Sequence, residues 1–499
     1  MLLRWLLLLE VFQLLAELVI ADTCSTLEAT TSIEVTRPLS LSYTTEQQDY
    51  WSTSCAALLP TCIIFPKDAA EIAAIITVLN SNEENFAVKS GGHNPNNYWS
   101  SVDGGPLIST QLLDQVILNQ TTGVAKVGPG LRLDEIAREL DGTGWTFVGG
   151  RIGHTGVGGL ILGGGLSYMS TQYGWAASSV LEYELVLPNG TISHVNAESN
   201  PDLFKALKGG GNNFGVVVSY TLQTYRQGNV WGGNLVFLRT PEIDLAMLNA
   251  VRDFTDYNDD DKAAIIVTAE RAAVGVVDSW IIFLFYDGPS PPDGLFNNFT
   301  NADPNPLLNT CHEQSYADLI GGSNWVIVKA SNVQIGTETI PMPPAEHGEA
   351  MMEELHTFWR GITDGVMLTP GIVASIAYQP FSRRIAQEAR ARGGDLIDAD
   401  DEIDRMIIEM NYAFTLPQDY PTMDQTMQDT YGGYRDRVLA WQASGEMPQG
   451  YLPLFMNYGF HREDYFARLR PESRALAKKV SDEVDPDGIF RLRTGGWKP

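Results

Sequence analysis

Short apolar runs at 63–65, 86–89, 107–109 and 125–127 read as strands, and longer ones at 180–187 and 216–222 join them. After the first run, Asp68 with Glu71 three residues on reads as a capping box. Ile72, Ile75, Ile76 and Leu79 then fall on one helical face, and 133–140 reads as a second helix. From about Trp231 the texture changes. Strands at 234–238, 264–268, 280–285 and 406–414, with a helix at 243–254, read as an antiparallel sheet with covering helices. Residues 288–306, rich in Pro, Asn, Asp and Gly, read as a loop. The block 451–499 reads as a strand, a helix interrupted at Pro471, and the turn Asp485-Pro486-Asp487-Gly488. The fold class is therefore α+β, with an alternating strand–helix lobe followed by an antiparallel one.

A chain of 499 residues is too long for one simple core, so at least two domains are expected. The formal charge is -28, from 33 basic and 61 acidic residues. Such a surface repels polyanions, which disfavours nucleic acid and anionic membranes as partners. Residues 1–21 are apolar with an early Arg4, and Val19 and Ala21 precede Asp22 with signal-peptidase spacing. Glu10 and Glu17 interrupt that run, so an uncleaved amphipathic helix is the alternative; a signal peptide and a secreted protein are the expectation. No later segment reaches the roughly 20 apolar residues of a membrane span. Of the cysteines Cys24, Cys55, Cys62 and Cys311, three lie near the new N-terminus, where an oxidising route permits a disulfide of open connectivity. No CxxC pair or histidine cluster supports a metal site. Sequons stand at Asn119, Asn189 and Asn298.

Two glycine clusters carry the candidate chemistry. Lys89-Ser90-Gly91-Gly92-His93-Asn94 follows a strand, and Gly149-Gly150-Arg151-Ile152-Gly153-His154-Thr155-Gly156-Val157-Gly158-Gly159 runs on to Gly163-Gly164-Gly165. Backbone without side chains lets N–H groups converge on an anion such as a pyrophosphate. Neither cluster is G-x-G-x-x-G between strand and helix, which disfavours a Rossmann dinucleotide site. Each alone could be a simple turn; two in one domain shift the balance towards a cofactor.

These clusters, with Tyr173-Gly174, Asp202-Leu203-Phe204, 208–215 (Lys-Gly-Gly-Gly-Asn-Asn-Phe-Gly), Asn457-Tyr458 and Asp485-Pro486, lie in the order found in a known family. The sequence resembles the berberine-bridge-enzyme-like group of the vanillyl-alcohol-oxidase flavoproteins, of the PCMH type, over nearly all of the chain after residue 57. The resemblance implies a split FAD-binding domain, 57–228 completed by 451–499, around a substrate domain at 229–450. It implies a covalent bond from His93 to the flavin 8α-methyl carbon. Many members add a cysteinyl link where this chain has Ile152, so a single link is expected. The flavin contacts it implies are Lys89, Ser90, Gly91, Gly92, Asn94, Thr155, Gly156, Gly158, Gly159, Gly163, Gly164, Tyr173, Gly215, Val217 and Asn457. Asn457 is expected as a hydrogen-bond partner of the flavin. Thr155 stands at the position that gates oxygen, where near-isostery with valine keeps access for O2 plausible.

A base must take a substrate proton as hydride leaves for the flavin. Glu409 is the candidate, because its strand resembles the family strand that points a Glu or Gln at the isoalloxazine; alternation puts it with Ile407 and Asn411, a mostly apolar setting that would raise its pKa, and a solvent-facing strand glutamate is the alternative. Tyr458 lies near the flavin by the same resemblance, or is a core aromatic. Phe455 replaces a tyrosine of some relatives, which weakens a phenolate mechanism. The expected activity is oxidation of a small organic substrate, an alcohol or an oxidative cyclisation in secondary metabolism, with O2 reoxidising the flavin to give H2O2. A carbohydrate oxidase is the alternative, with Tyr98 and Trp99 as stacking platforms. A redox-neutral flavoprotein that templates a cyclisation is the third reading.

Overall fold

The computed structural model describes residues 22–499; the expected signal peptide lies outside the described residues. The first lobe holds two main sheets and a two-stranded ladder that pairs Trp145–Thr146 with Tyr225–Arg226. In the smaller main sheet, β1 (Glu34–Thr36), β2 (Cys62–Phe65), β3 (Ala87–Lys89) and β4 (Pro106–Ser109) lie in the order β1-β2-β4-β3. β4 runs parallel to both β2 and β3. The sheet thus takes in residues ahead of position 57. The helix Ala69–Leu79 covers it: Asp68 accepts from the Glu71 backbone at 2.9 Å, while the Glu71 carboxylate reaches the Lys67 N–H at 2.8 Å. Ile72, Ile75, Ile76 and Leu79 are fully buried on the predicted face. A disulfide between Cys24 and Cys62 pins the N-terminal helix Thr23–Thr30 to β2, and Cys55 and Cys311 are free thiols.

The second sheet is antiparallel: β5 (Val116–Asn119), β6 (Val124–Val127), β7 (Val180–Val186), β8 (Ile192–Asn196) and β9 (Val216–Gln223), in the order β5-β6-β9-β7-β8. The glycine-rich run between β6 and β7 carries the amphipathic helix Leu133–Leu140 and the short helix Val157–Leu162.

The second lobe is one large antiparallel sheet. Its long strands are β10 (Val230–Leu238), β11 (Ala263–Ala272), β12 (Val277–Tyr286), β13 (Asn332–Pro341), β14 (Val373–Phe381) and β15 (Arg405–Phe414), in the order β10-β12-β11-β14-β15-β13. Helices Pro241–Tyr257, Gly348–Asp364 and Tyr420–Ser444 cover one face and bury Met247, Leu355, Trp359 and Tyr434 against Ile408 and Met410. Residues of β15 alternate, so Glu409 and Asn411 point the other way, towards the first lobe.

The last block differs from its expectation. It holds no strand; Met456–Tyr458 forms a single 3-10 turn. Pro471 does not break a helix but opens one, Pro471–Val484, because the first turn needs no proline N–H. The Asp485 turn caps the next helix, its carboxylate accepting from Ile489, Phe490 and Arg491 N–H groups at 2.7–3.0 Å. The Arg493 guanidinium then donates to the Leu79, Asn82 and Glu84 carbonyls at 2.8–2.9 Å, which returns the chain to the first lobe. Among the described residues no helix is long and apolar enough to cross a membrane.

Candidate active site

A cavity of about 360 Å³ lies between the lobes, within the size range of small-ligand sites. Both glycine clusters form its wall on the first-lobe side. They touch backbone to backbone: a Cβ on Gly91 would stand 2.5 Å from the Gly156 Cα. Ser90 fastens the contact, donating to the Pro129 carbonyl at 2.6 Å and accepting from the Gly158 N–H at 3.3 Å. At Gly159 a Cβ would meet nothing within 4 Å, so this stretch of helix 157–162 fronts open cavity. The result is a trough from which side chains are excluded, as a long flat cofactor requires.

Of the residues expected here, Ser90, Gly91, Gly92, His93, Asn94, Thr155, Gly156, Gly158, Gly159, Gly163, Gly215, Val217, Glu409, Asn457 and Tyr458 line the cavity, and Ile152 does too. Three do not. Lys89 turns behind the loop and is buried against Glu46 at 2.7 Å. Gly164, with φ +103°, packs on Ile397. Tyr173 stacks on Tyr225 at 3.7 Å in a separate surface groove. Asn457 also holds loop backbone, accepting from Gly165 N–H at 3.0 Å and donating to the Leu160 carbonyl at 3.1 Å. It braces the glycine loop from behind Gly163, where any Cβ would clash with it.

His93 projects from the tight turn at Gly92 (φ +64°). Trp51 stacks on its ring at 4.5 Å, and its Nδ1 is 3.5 Å from His154 Nδ1. His154 Nε2 lies 3.2 Å from Arg132, which can only donate and therefore fixes that nitrogen as the acceptor. Asp49 holds Arg132 at 2.8 and 2.9 Å. Burial, then His154 and Arg132, push His93 down to about 3; burial, then Arg132 and Lys329, push His154 down to about 4. Both imidazoles are neutral at physiological pH, and His93 offers an unprotonated nitrogen without a general base. Trp51, Arg132 and His154 were not singled out from sequence, although His154 was the only histidine in its glycine cluster.

On the second-lobe side a hydrogen-bonded chain crosses the floor. Arg151 donates to the Tyr458 hydroxyl, Tyr458 donates to Gln379 Oε1 at 3.2 Å, and Gln379 donates to Glu409 Oε2 at 2.8 Å. Asn411 donates to the other Glu409 oxygen at 2.8 Å. The Glu409 setting is thus amide-lined rather than mostly apolar, as expected from sequence, because Gln379 and Asn411 share its sheet face. Burial raises the Tyr458 phenol well above its usual range, with Arg151 opposing. Phe455 packs edge-on against Tyr458 at 4.9 Å. Trp99 reaches the cavity edge against Trp497 at 4.5 Å, whereas Tyr98 points outward. Glu270, Thr268 and Ser375 also line the floor. The strand of Thr268 and Glu270 was read from sequence only as far as residue 268, and the strand of Ser375, Val373–Phe381, was not read at all.

A flat, glycine-walled trough, a neutral histidine beside it and an amide-held carboxylate opposite define a cofactor-dependent redox site. Residues 60–196 match the FAD binding domain family. An uncharacterized FAD-linked oxidoreductase of Arthroderma benhamiae is 40% identical over 469 residues, 93% of this chain and 92% of the relative. The FAD-dependent monooxygenase FUP4 of Fusarium proliferatum is 30% identical over 90% of this chain and 87% of its own. Among solved structures, wild-type Physcomitrella patens BBE-like 1 superimposes with a TM-score of 0.74 at 17% identity, covering 93% of this chain and 97% of that one. The glucooligosaccharide oxidase of Acremonium strictum, with a 6-S-cysteinyl, 8α-N1-histidyl FAD, gives 0.72 at 16%, over 94% and 98%. The chain belongs to the FAD-linked oxidoreductases, it shares its fold with the BBE-like structures, and it is an FAD-dependent enzyme.

Proposed function

We propose that the enzyme oxidises a small organic alcohol or ring-closing precursor, with FAD held covalently through His93 and O2 as the acceptor that yields H2O2. Bound FAD supplies the redox chemistry, taking two electrons from the substrate and passing them on. The observation that carries the reading is the Arg151–Tyr458–Gln379–Glu409 chain facing a neutral His93 across one cavity. Glu409, held at both oxygens by amides, is oriented to accept a substrate hydroxyl proton. Tyr458, tied to Arg151, donates a hydrogen bond and positions Gln379. Ile152 lines the cavity without a nucleophile, so His93 forms the single link. Thr155, at the trough wall, leaves room for O2.

Carbohydrate oxidation is the second reading, favoured by Trp99 and Trp497 at the cavity edge. A secretory route accords with the Cys24–Cys62 disulfide and with Asn119, Asn189 and Asn298, all exposed. The test is anaerobic mixing with alcohols, sugars and polyketide precursors, followed by air. Bleaching of the flavin and peroxide release upon aeration support the proposal. Product without bleaching assigns the protein to templated cyclisation instead.

A further inference from the structure

We infer that the substrate carries a protonated amine on an apolar body, and that Glu270 is the side chain that receives it; this rests on the reading of the cavity as the flavin and substrate site. On β11, Ile266, Thr268 and Glu270 alternate onto the cavity face. Glu270 stands opposite Ser375 of β14, and Ser375 opposite Asn411 of β15, so the three form one polar row across the sheet. The row behind it runs Thr268, Ala377, Glu409. Glu270 is therefore two strands and two residues from Glu409, about 12 Å between Cα atoms. That separation suits a molecule gripped at one end and oxidised at the other.

The row is built for a donor that the protein does not supply. Among the described residues Glu270 has no hydrogen-bond or ion-pair partner, and neither hydroxyl of Thr268 and Ser375 makes a hydrogen bond within the chain. Asn411 spends its NH2 on Glu409 and leaves its Oδ1 buried and unpaired, an acceptor that costs stability until something donates to it. Burial alone, with no compensating partner, pushes the Glu270 carboxyl upward. Of the cavity's lining side chains only Arg151 carries a positive charge, and its guanidinium is engaged with Tyr458. An anionic substrate would meet Glu270 and Glu409 unscreened. A cation is drawn in by the net charge of -28 and completes Glu270. Ile266, Ile281, Phe283 and Ile335 supply the apolar wall for the rest of the molecule.

Three probes with one indole body separate the end groups: tryptamine, tryptophol and indole-3-acetate, titrated into the holoenzyme at pH 7 and fixed salt. Binding is read under nitrogen from the flavin absorbance and by titration calorimetry. Tryptamine should bind about tenfold to a hundredfold more tightly than tryptophol, the range of a charge-assisted bond, and indole-3-acetate more weakly than both. Glu270→Gln should bring tryptamine down to the tryptophol level and leave tryptophol unchanged. An acid that binds as tightly as the amine, or an amine affinity untouched by Glu270→Gln, overturns the proposal. So does binding by none of the three. The wild-type ranking decides the matter even if the variant fails to fold. Protein without a flavin spectrum would instead sink the reading of the cavity, and calorimetry would still report the amine preference.

Discussion

The covalent link offers the sharpest test, because it depends on the charge state of one imidazole. A histidine of ordinary pKa, 6.5, is only about 3% neutral at pH 5 and nearly all neutral at pH 8. If such a group attacked the flavin, the bond would form about 30-fold more slowly at pH 5 than at pH 8. His93 instead sits at about 3, depressed first by burial and then by His154 and Arg132. At pH 5 about 99% of it is neutral, so the rate should be flat, within about twofold, from pH 5 to pH 8. The imidazole facing it, His154, lies at about 4, below that window. The assay uses apoprotein from a riboflavin-starved host, mixed with FAD, quenched in acid and run on a denaturing gel. Flavin fluorescence in the protein band reports the bond. A rate that falls about 30-fold with a midpoint near 6.5 would refute the reasoning, and a band that never fluoresces would refute the link itself. His93→Ala should bind flavin yet release it into the acid supernatant.

Four further outcomes follow from the geometry. Glu409→Gln should slow anaerobic flavin reduction about a hundredfold or more while leaving the bound flavin spectrum intact; an unchanged rate removes Glu409 from the chemistry. Gly91→Ala forces apart the loops that meet at Gly156, so purified protein should lack stoichiometric flavin; retention at one flavin per chain would show that the loops give way. Cys24→Ser opens a loop of 38 residues and should cost about 4 kcal/mol in chemical denaturation, with no change for Cys55→Ser in the flavin content. His356, buried beside Trp280 and held down to about 4, binds fewer protons folded than unfolded between about 4 and 6.5. Stability should therefore be present above pH 6.5 and fall by about 3 kcal/mol as pH drops to 4, an acid loss that His356→Phe should lessen.

Local rules located the elements well where a side chain settled its own surroundings. Asp68 announced a helix start through a carboxylate that reaches a backbone N–H three residues on, whereas Asp485, read only as part of a turn, caps a helix in the same way. Alternation grouped Glu409 with Asn411, and the structure turns that face to the cavity because Ile408 and Met410 pack against the helices on the other. Failures arose where partners were distant in the chain. Arg132 and Asp49, 83 residues apart, give His154 its role, and no spacing rule brings them together. Asn457 lines the cavity, and its backbone partners, Leu160 and Gly165, lie nearly 300 positions earlier, where no spacing rule announces them. Tyr173 belonged to a motif shared in order, which says nothing about the side on which its ring stacks. Glu270 was lost for a smaller reason. Charged Glu270 and Arg271 ended the apolar run, while the ladder to β12 continues to Ala272.

The tie from Arg493 back to Leu79, Asn82 and Glu84 has a consequence for biosynthesis. Those carbonyls terminate a helix made early in translation, yet their partner emerges some 400 residues later, after the entire second lobe. Contacts so remote in sequence form last and slowly. The nascent chain therefore presents an unfinished first lobe to the folding machinery, and cofactor loading has to wait until synthesis is almost over.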